Sequence, residues 1–306
     1  MTRYIVPLLA GLFLVGPAAG REPGKRFAPP DLPGNVYLNY EVRGEGSCVI
    51  VALHGFGAAL DSWDDIEKAL GSRCRFYVPD LVGFGLSARP RGFTYTVDEQ
   101  ADVVSRFLEF VQRGCGAPSF VLIGHSYGGA VAMKAYGKLK DPSIVSRLIL
   151  VDSLANPKRV HLPLPFKILR VKVLNRIVIS VIPAHTQVRL VLNHIYFNHR
   201  AVVEGVRKYA PFLRIPGTQT ALIRTIHEYG NQEAARKLSA DISAIHIPTL
   251  IIWGADDPLI VPAQADDLNR SIRNSSKELV KHAGHAPQEE APEETARLIA
   301  DFLPVY

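Results

Sequence analysis

Five short, nearly unbroken apolar runs constrain what this chain can fold into more than any other feature. They are Cys48 to Leu53, Arg75 to Val78, Phe120 to Ile123, Leu148 to Val151 and Thr249 to Trp253. A half-buried strand alternates apolar and polar residues, so a run that is apolar throughout marks a strand covered on both faces. Helical patterning separates most of them. One helix is expected over Asp61 to Leu70, and another opens at the capping box Thr96-x-x-Glu99, with Val97, Ala101, Val104, Leu108 and Val111 on one face. A third runs from Glu293 to Phe302. Val36 to Val42 and Glu278 to Lys281 read as further strands, and Lys25 to Pro33 as a proline-rich lead-in. The fold class is therefore α/β, a doubly wound and mostly parallel sheet. Sites in such sheets gather at the carboxyl ends of the strands. Those ends carry His54-Gly55, Asp80, Gly124 to Ser126, Asp152 and Gly254 to Asp257.

The alternation breaks between Pro157 and about Ser239, where the pattern is helical and proline-punctuated. We expect an insertion here, lying over the carboxyl edge of the sheet. The N-terminus also stands apart. Arg3 precedes an apolar run from Ile5 to Val15, then the small residues Gly16-Pro17-Ala18-Ala19-Gly20. That is the plan of a cleaved export signal, with a buried first helix as the alternative. The run is short for a bilayer span, and no cysteine near the cut is available for lipid attachment. The expected organisation is a leader over 1–20, a first core part over 21–156, a helical cap over 157–240 and a second core part over 241–306. The expected location is periplasmic or secreted, with membrane association as a further option. With 47% apolar and 21% charged residues the chain is neither a disordered nor a multi-span protein. Its three cysteines, Cys48, Cys74 and Cys115, allow one disulfide in an oxidising compartment or three buried thiols.

The chemistry concentrates at Gly124-His125-Ser126-Tyr127-Gly128. A strand entering a helix through G-x-S-x-G puts the serine on a sharp turn, its hydroxyl clear of the backbone. The Tyr127 N–H, at the helix start, then faces an oxyanion formed on a carbonyl attacked by Ser126. A serine hydroxyl needs a base, usually a histidine oriented by a carboxylate. Of ten histidines, His285 is the best placed, in Ala283-Gly284-His285-Ala286-Pro287 after the last strand; His282 is its neighbour at the strand end. Asp257 is the first candidate for the carboxylate, with Asp256 and Asp152 as alternatives. In Leu53-His54-Gly55-Phe56-Gly57, Gly55 is expected to let the chain turn so that the Phe56 N–H faces the site as second oxyanion donor.

These segments together resemble the α/β-hydrolase fold superfamily, of the capped serine esterase and lipase type. His54-Gly55-Phe56-Gly57 is similar to its oxyanion loop, and Asp80-Leu81-Val82-Gly83-Phe84-Gly85-Leu86-Ser87 to its D-x-x-G-x-G-x-S segment. Gly124 to Gly128 matches the elbow, Trp253 to Pro258 the acid loop and Ala283-Gly284-His285 the histidine loop. The resemblance covers about residues 36–155 and 240–306. It implies hydrolysis of carboxylic esters through an acyl-enzyme on Ser126. Relatives that open epoxides or remove halide use an aspartate at the elbow, which disfavours both reactions. A carbon–carbon bond hydrolase or a cofactor-free perhydrolase of the same fold is the alternative, and a non-catalytic binding protein a more distant one. No cofactor or metal is expected, since neither a ligand cluster nor a phosphate-cradling loop stands out.

The net charge of +6 is uneven. From Pro157 to Val203 there is no acidic residue, while Lys158, Arg159, Lys167, Arg170, Lys172, Arg176, Arg189 and Arg200 stand among Val, Ile and Leu. Such a segment suits a cap that touches an anionic membrane surface, or a basic rim around an apolar acyl pocket. The expected substrate is a small ester or lipid-like molecule. Nucleic acid is not expected as a partner, because apolar residues crowd the basic ones.

Overall fold

Each of the apolar runs becomes a central strand. The computed structural model describes residues 23–156, 160, 181–228 and 232–304. The expected leader lies outside these residues, as do Lys158, Arg159, Lys167, Arg170, Lys172 and Arg176 of the basic segment. The strands are β1 (Lys25–Phe27), β2 (Leu38–Arg43), β3 (Cys48–Leu53), β4 (Cys74–Pro79), β5 (Phe120–His125), β6 (Val145–Val151), β7 (Thr249–Gly254) and β8 (Ser275–Val280). They form one eight-stranded sheet in the order β1-β2-β4-β3-β5-β6-β7-β8. β1 and β2 pair antiparallel, as do β2 and β4. From β4 onward every pairing is parallel.

Both faces of the sheet are covered, as apolar runs require. Ile50, Ala52, Val78, Ile123 and Ile252 enter one layer with Trp63, Ile66 and Ile299. Val51, Leu53, Leu122, Leu150 and Trp253 enter the other with Val104, Phe107, Leu108 and Val131. Burying each such side chain stabilises the fold by about 1.5–3 kcal/mol. The covering helices of the first part are α1 (Asp64–Leu70), α2 (Val97–Cys115) and α3 (Tyr127–Gly137). Thr96 Oγ1 accepts from the Glu99 N–H at 3.1 Å, and the Glu99 carboxylate reaches back to the Tyr95 N–H at 3.2 Å. That closes the expected capping box one residue early. Gly116 ends α2 at φ 73°, a conformation that favours glycine.

Between β6 and β7 the described residues form α4 (Ala184–Ile195), α5 (His199–Leu213), α6 (Thr218–Glu228) and α7 (Gln232–Ser243). α7 runs through residue 240 and is tied to α3 by a Lys134–Asp241 ion pair at 2.8 Å. α8 (Ala263–Ser271), α9 (Pro287–Glu290) and α10 (Pro292–Phe302) complete the chain. Among the described residues no helix is long and apolar enough to cross a membrane. The cysteines are three buried free thiols. Cys48 and Cys74 are register partners on β3 and β4, whereas Cys115 ends α2 rather than starting a strand.

Candidate active site

Ser126 occupies the turn between β5 and α3 at φ 51° and ψ −118°. A non-glycine residue held there carries local strain, on the order of 1–3 kcal/mol, which its surroundings must offset. The Ser126 N–H donates to Val151 O at 2.9 Å, and Ser126 O accepts from Gly129 and Leu154, each at 3.0 Å. The flanking glycines make this turn possible by close approach. A Cβ on Gly124 would lie 2.6 Å from the Gly129 Cα, and one on Gly128 2.4 Å from His54 O. Gly55 acts in the same way: its Cβ would lie 2.7 Å from His125 Nδ1, while the left-handed turn belongs to Gly57 at φ 72°. Gly55 opens that turn, its O accepting from the Ala58 N–H at 3.3 Å.

His285, in the loop after β8, lies 2.9 Å from Ser126 Oγ through Nε2 and 2.8 Å from Asp257 Oδ2 through Nδ1. A neutral imidazole protonated on Nδ1 fits both contacts, donating to the carboxylate and accepting from the hydroxyl. Asp257 Oδ1 accepts from the Leu259 and Ile260 N–H groups at 2.7 and 3.0 Å. Asp256 is exposed, and His282 is exposed with its ring against Phe197. Neither is brought to Ser126. Phe56, in the loop after β3, lines the same cavity as Ser126, and Tyr127 is the first residue of α3.

Asp152 also comes to the site, from the end of β6. It is fully buried; Oδ1 accepts from the Gly254 N–H at 3.0 Å, while no donor group reaches Oδ2. Ligand atoms of Asp152, Asp257 and His285 lie within 4.8 Å of one another. Burial, and next the Asp257 charge, push the Asp152 carboxyl well above the usual range. The Asp152 carboxyl thus meets Asp257 in a dry setting that favours its own uncharged form. The grouping has cation-ligand types, but both His285 nitrogens are already engaged by Asp257 and Ser126.

Other groups fix the histidine loop. His125 Nε2 donates to His285 O at 2.7 Å; burial holds this imidazole down to about 3, so it stays neutral. The His285 N–H donates to Ile195 O at 2.8 Å, tying the loop to the end of α4. Glu290 accepts from the Ala286 N–H at 3.0 Å and from those of Phe197 and Asn198 at 2.6 and 2.9 Å. Asp80 and His54, also at strand ends, brace the loops around the site. Asp80 accepts from the Leu60 and Leu86 N–H groups, each at 2.8 Å, and His54 Nε2 accepts from Leu81 at 2.9 Å.

A cavity of about 250 Å³ opens onto Ser126 and His285. Its wall is mostly hydrocarbon, from Phe56, Phe84, Leu154, Val191, Leu222 and Ile260 among others. No lysine or arginine lines it among the described residues, and Glu289 is its one acidic group. Sequence reasoning missed His125, Glu289 and Glu290. The elbow pattern treats the residue before the serine as variable, and two adjacent glutamates near a terminus read as a solvated face.

A serine–histidine–aspartate chain at the carboxyl edge of a doubly wound sheet, beneath inserted helices, defines a class of hydrolytic enzyme. The chain belongs to the α/β-hydrolase fold family: that family's model matches residues 49–292. It is 27% identical over 285 residues to YugF, an uncharacterized hydrolase of Bacillus subtilis, covering 92% of this chain and 98% of that one. It is 29% identical over 265 residues to the monoacylglycerol lipase ABHD6 of Mus musculus, covering 83% of this chain and 75% of the lipase. A thermophilic esterase from Thermogutta terrifontis superposes with a TM-score of 0.72 at 25% identity, over 91% and 97% of the two chains. The protein is thus a hydrolase of this fold, with esterase and lipase relatives.

Proposed function

We propose that the protein is a serine hydrolase of carboxylic esters with an apolar acyl part. The observation that supports it most is the bridging position of His285, 2.9 Å from Ser126 and 2.8 Å from Asp257, beside an apolar cavity. Ser126 Oγ attacks the ester carbonyl as His285 Nε2 takes its proton. Asp257 holds the imidazole by Nδ1–H and stabilises the imidazolium. The N–H groups of Phe56 and Tyr127 receive the oxyanion. Collapse expels the alcohol, which takes the proton from Nε2, and leaves an acyl ester on Ser126. Water, deprotonated by His285, attacks that ester, and its collapse returns the proton to Ser126 and frees the acid.

The carbon–carbon cleavage reading is disfavoured by charge. A dienoic keto acid would bring its carboxylate to a cavity with Glu289 in the wall. Aryl esters of graded chain length test the proposal. Ser126→Ala and His285→Ala should each lower kcat by about 10⁴-fold or more. Full activity in Ser126→Ala overturns the choice of nucleophile, and highest turnover on acetyl esters overturns the acyl-pocket assignment.

We assign a membrane-facing edge to the cap on similar grounds. Val181 and Val203 are 73% and 63% exposed, and Leu190 and Phe197 are exposed beside Arg189 and Arg200. Salt-sensitive flotation with anionic vesicles, weakened by Phe197→Ser, is the expected result; no flotation overturns it. Export rests on the composition of residues 1–20, and N-terminal sequencing of mature protein starting near Arg21 is the expected outcome.

A further inference from the structure

At the amino edge of the sheet, opposite Ser126, two of the three cysteines stand side by side. Cys48 opens β3 and Cys74 opens β4, and the two are register partners in a parallel pairing. Partners in register point to the same face of a sheet. Both thiols accordingly enter the layer of Ile50, Trp63 and Ile66, and both are buried. Cys115, at the end of α2, is buried in the opposite layer, its Sγ 3.8 Å from Gln112 O and from Ala117 O. The sheet itself separates it from the other two. Neighbouring strands lie about 4.8 Å apart, within the span of roughly 4.4–6.8 Å between Cα atoms that a disulfide bridges. The backbone here is pinned on both sides. The Cys48 N–H donates to Arg73 O at 3.3 Å, and the Glu45 N–H to Gly71 O at 2.9 Å. A Cβ on Gly46 would lie 1.8 Å from the Arg73 carbonyl carbon, so only glycine lets the two segments come this close.

We propose that Cys48 and Cys74 are a modification site, joined in one intramolecular disulfide as the chain folds in an oxidising compartment. The oxidant is a second disulfide, of a small thiol or of an exchange protein. One cysteine thiolate attacks it, releasing one thiol and leaving a mixed disulfide; the other cysteine thiolate then displaces the second thiol. Two electrons pass to the oxidant's sulfurs, and the two protons lost by Cys48 and Cys74 end there. Cys74 holds the Cys48 thiol below its ordinary value, which favours Cys48 as the first to attack. Both sulfurs are covered once Trp63 and Ile66 pack over them, so exchange precedes that packing. The bond closes the loop 48–74, which carries Phe56 and α1. Closing such a loop in the unfolded chain shifts the folding equilibrium toward the native state by about a hundredfold. Cys115 stays a thiol. None of this depends on the ester-hydrolase reading.

Refolding the full chain from denaturant in mixed reduced and oxidised glutathione tests it, beside a refolding in dithiothreitol. The oxidised product, unfolded again, should titrate one thiol where the reduced product titrates all three cysteines. Peptide maps made without reduction should join the peptides of Cys48 and Cys74. Chemical denaturation should find the unfolding equilibrium of the oxidised form about a hundredfold less favourable than that of the reduced form. That gap should survive Cys115→Ala and vanish in Cys74→Ala. Each variant is compared with its own reduced form, so a packing cost of the substitution cancels. Three free thiols after oxidative refolding overturn the proposal. So do a bridge that includes Cys115, glutathione left attached to Cys48 or Cys74, and equal stability of the two wild-type forms.

Discussion

The elbow around Ser126 and the helical wall of the cavity hold the same site by opposite means. At the elbow, backbone meets backbone: Gly128 lies where a Cβ would be 2.4 Å from His54 O and 2.7 Å from Leu53 O. In the wall, side chain meets side chain: a Cβ on Gly205 would first meet Leu192 Cδ1, the far end of a flexible residue, at 2.6 Å. The turn that carries Ser126 thus rests on backbone with no side chain to yield, and the cavity wall on side chains that can turn. The sharpest way to break this contrast is Gly128→Ala. Its Cβ has only backbone to displace, so a loss of about 3 kcal/mol or more is expected by chemical denaturation. A near-neutral result would mean that the elbow is as pliable as the wall.

Asp152 tests whether the rigid region tunes its own chemistry. Its carboxyl, pushed toward the uncharged form by burial and by Asp257, is mimicked by asparagine, which keeps a donor at the same place. Asp152→Asn should hold kcat on an aryl ester within about threefold, whereas Asp152→Ala should lower it about tenfold by leaving Asp257 and the Gly254 N–H short of a partner. Equal losses in both would show that the charge of Asp152, not its proton, is what matters.

The wall carries the clearest pH dependence. Glu289 is raised from 4.5 to about 7, first by burial, against the lowering influence of Lys208, Tyr209 and Tyr196; Glu290 raises it further. Its folded value lies above its unfolded one, so its contribution is fully present below about pH 4.5 and is lost as pH rises through 7. Stability should fall across that window by up to roughly 3 kcal/mol from this group. Glu289→Gln should flatten the fall without abolishing it, because Glu41 and Glu67 are also raised to about 7. Denaturation midpoints of both proteins from pH 4.5 to 8 measure the difference. Parallel curves would place the titration elsewhere.

What was legible in the sequence follows the same divide. β3 falls where its apolar run lies, Cys48–Leu53, because a strand buried on both faces has no phase to mistake. The edges were harder. β1 buries only Phe27 of its three residues, and β8 begins at Ser275, three residues before the expected Glu278, because its first residues are polar and half exposed. That Ser126, Asp257 and His285 would meet was readable because topology sends the ends of β5, β7 and β8 to one edge. The Tyr209–Glu289 contact joins residues 80 apart through the packing of one helix on a loop, and no local pattern encodes it. Asp152 was readable as a carboxylate at the site, but the upward push on its carboxyl was not, since that depends on burial beside Asp257.

The smallest expected effect on stability carries the comparison furthest. Gly205 sits inside α5, where alanine gains about 1 kcal/mol of helix propensity. The obstacle is the Leu192 side chain, which lines the cavity and has room to turn into it. Gly205→Ala should leave the denaturation midpoint within about 1 kcal/mol of the wild type, the displaced Leu192 offsetting the helical gain. The displaced Leu192 should instead shorten the acyl chain the cavity holds, moving the optimum in a chain-length series by one or two carbons. A methyl group at Gly128 would then be read out as unfolding and one at Gly205 as specificity. An unchanged chain-length profile would mean that Leu192 moves away from the cavity, and that this part of the wall does not measure the acyl chain.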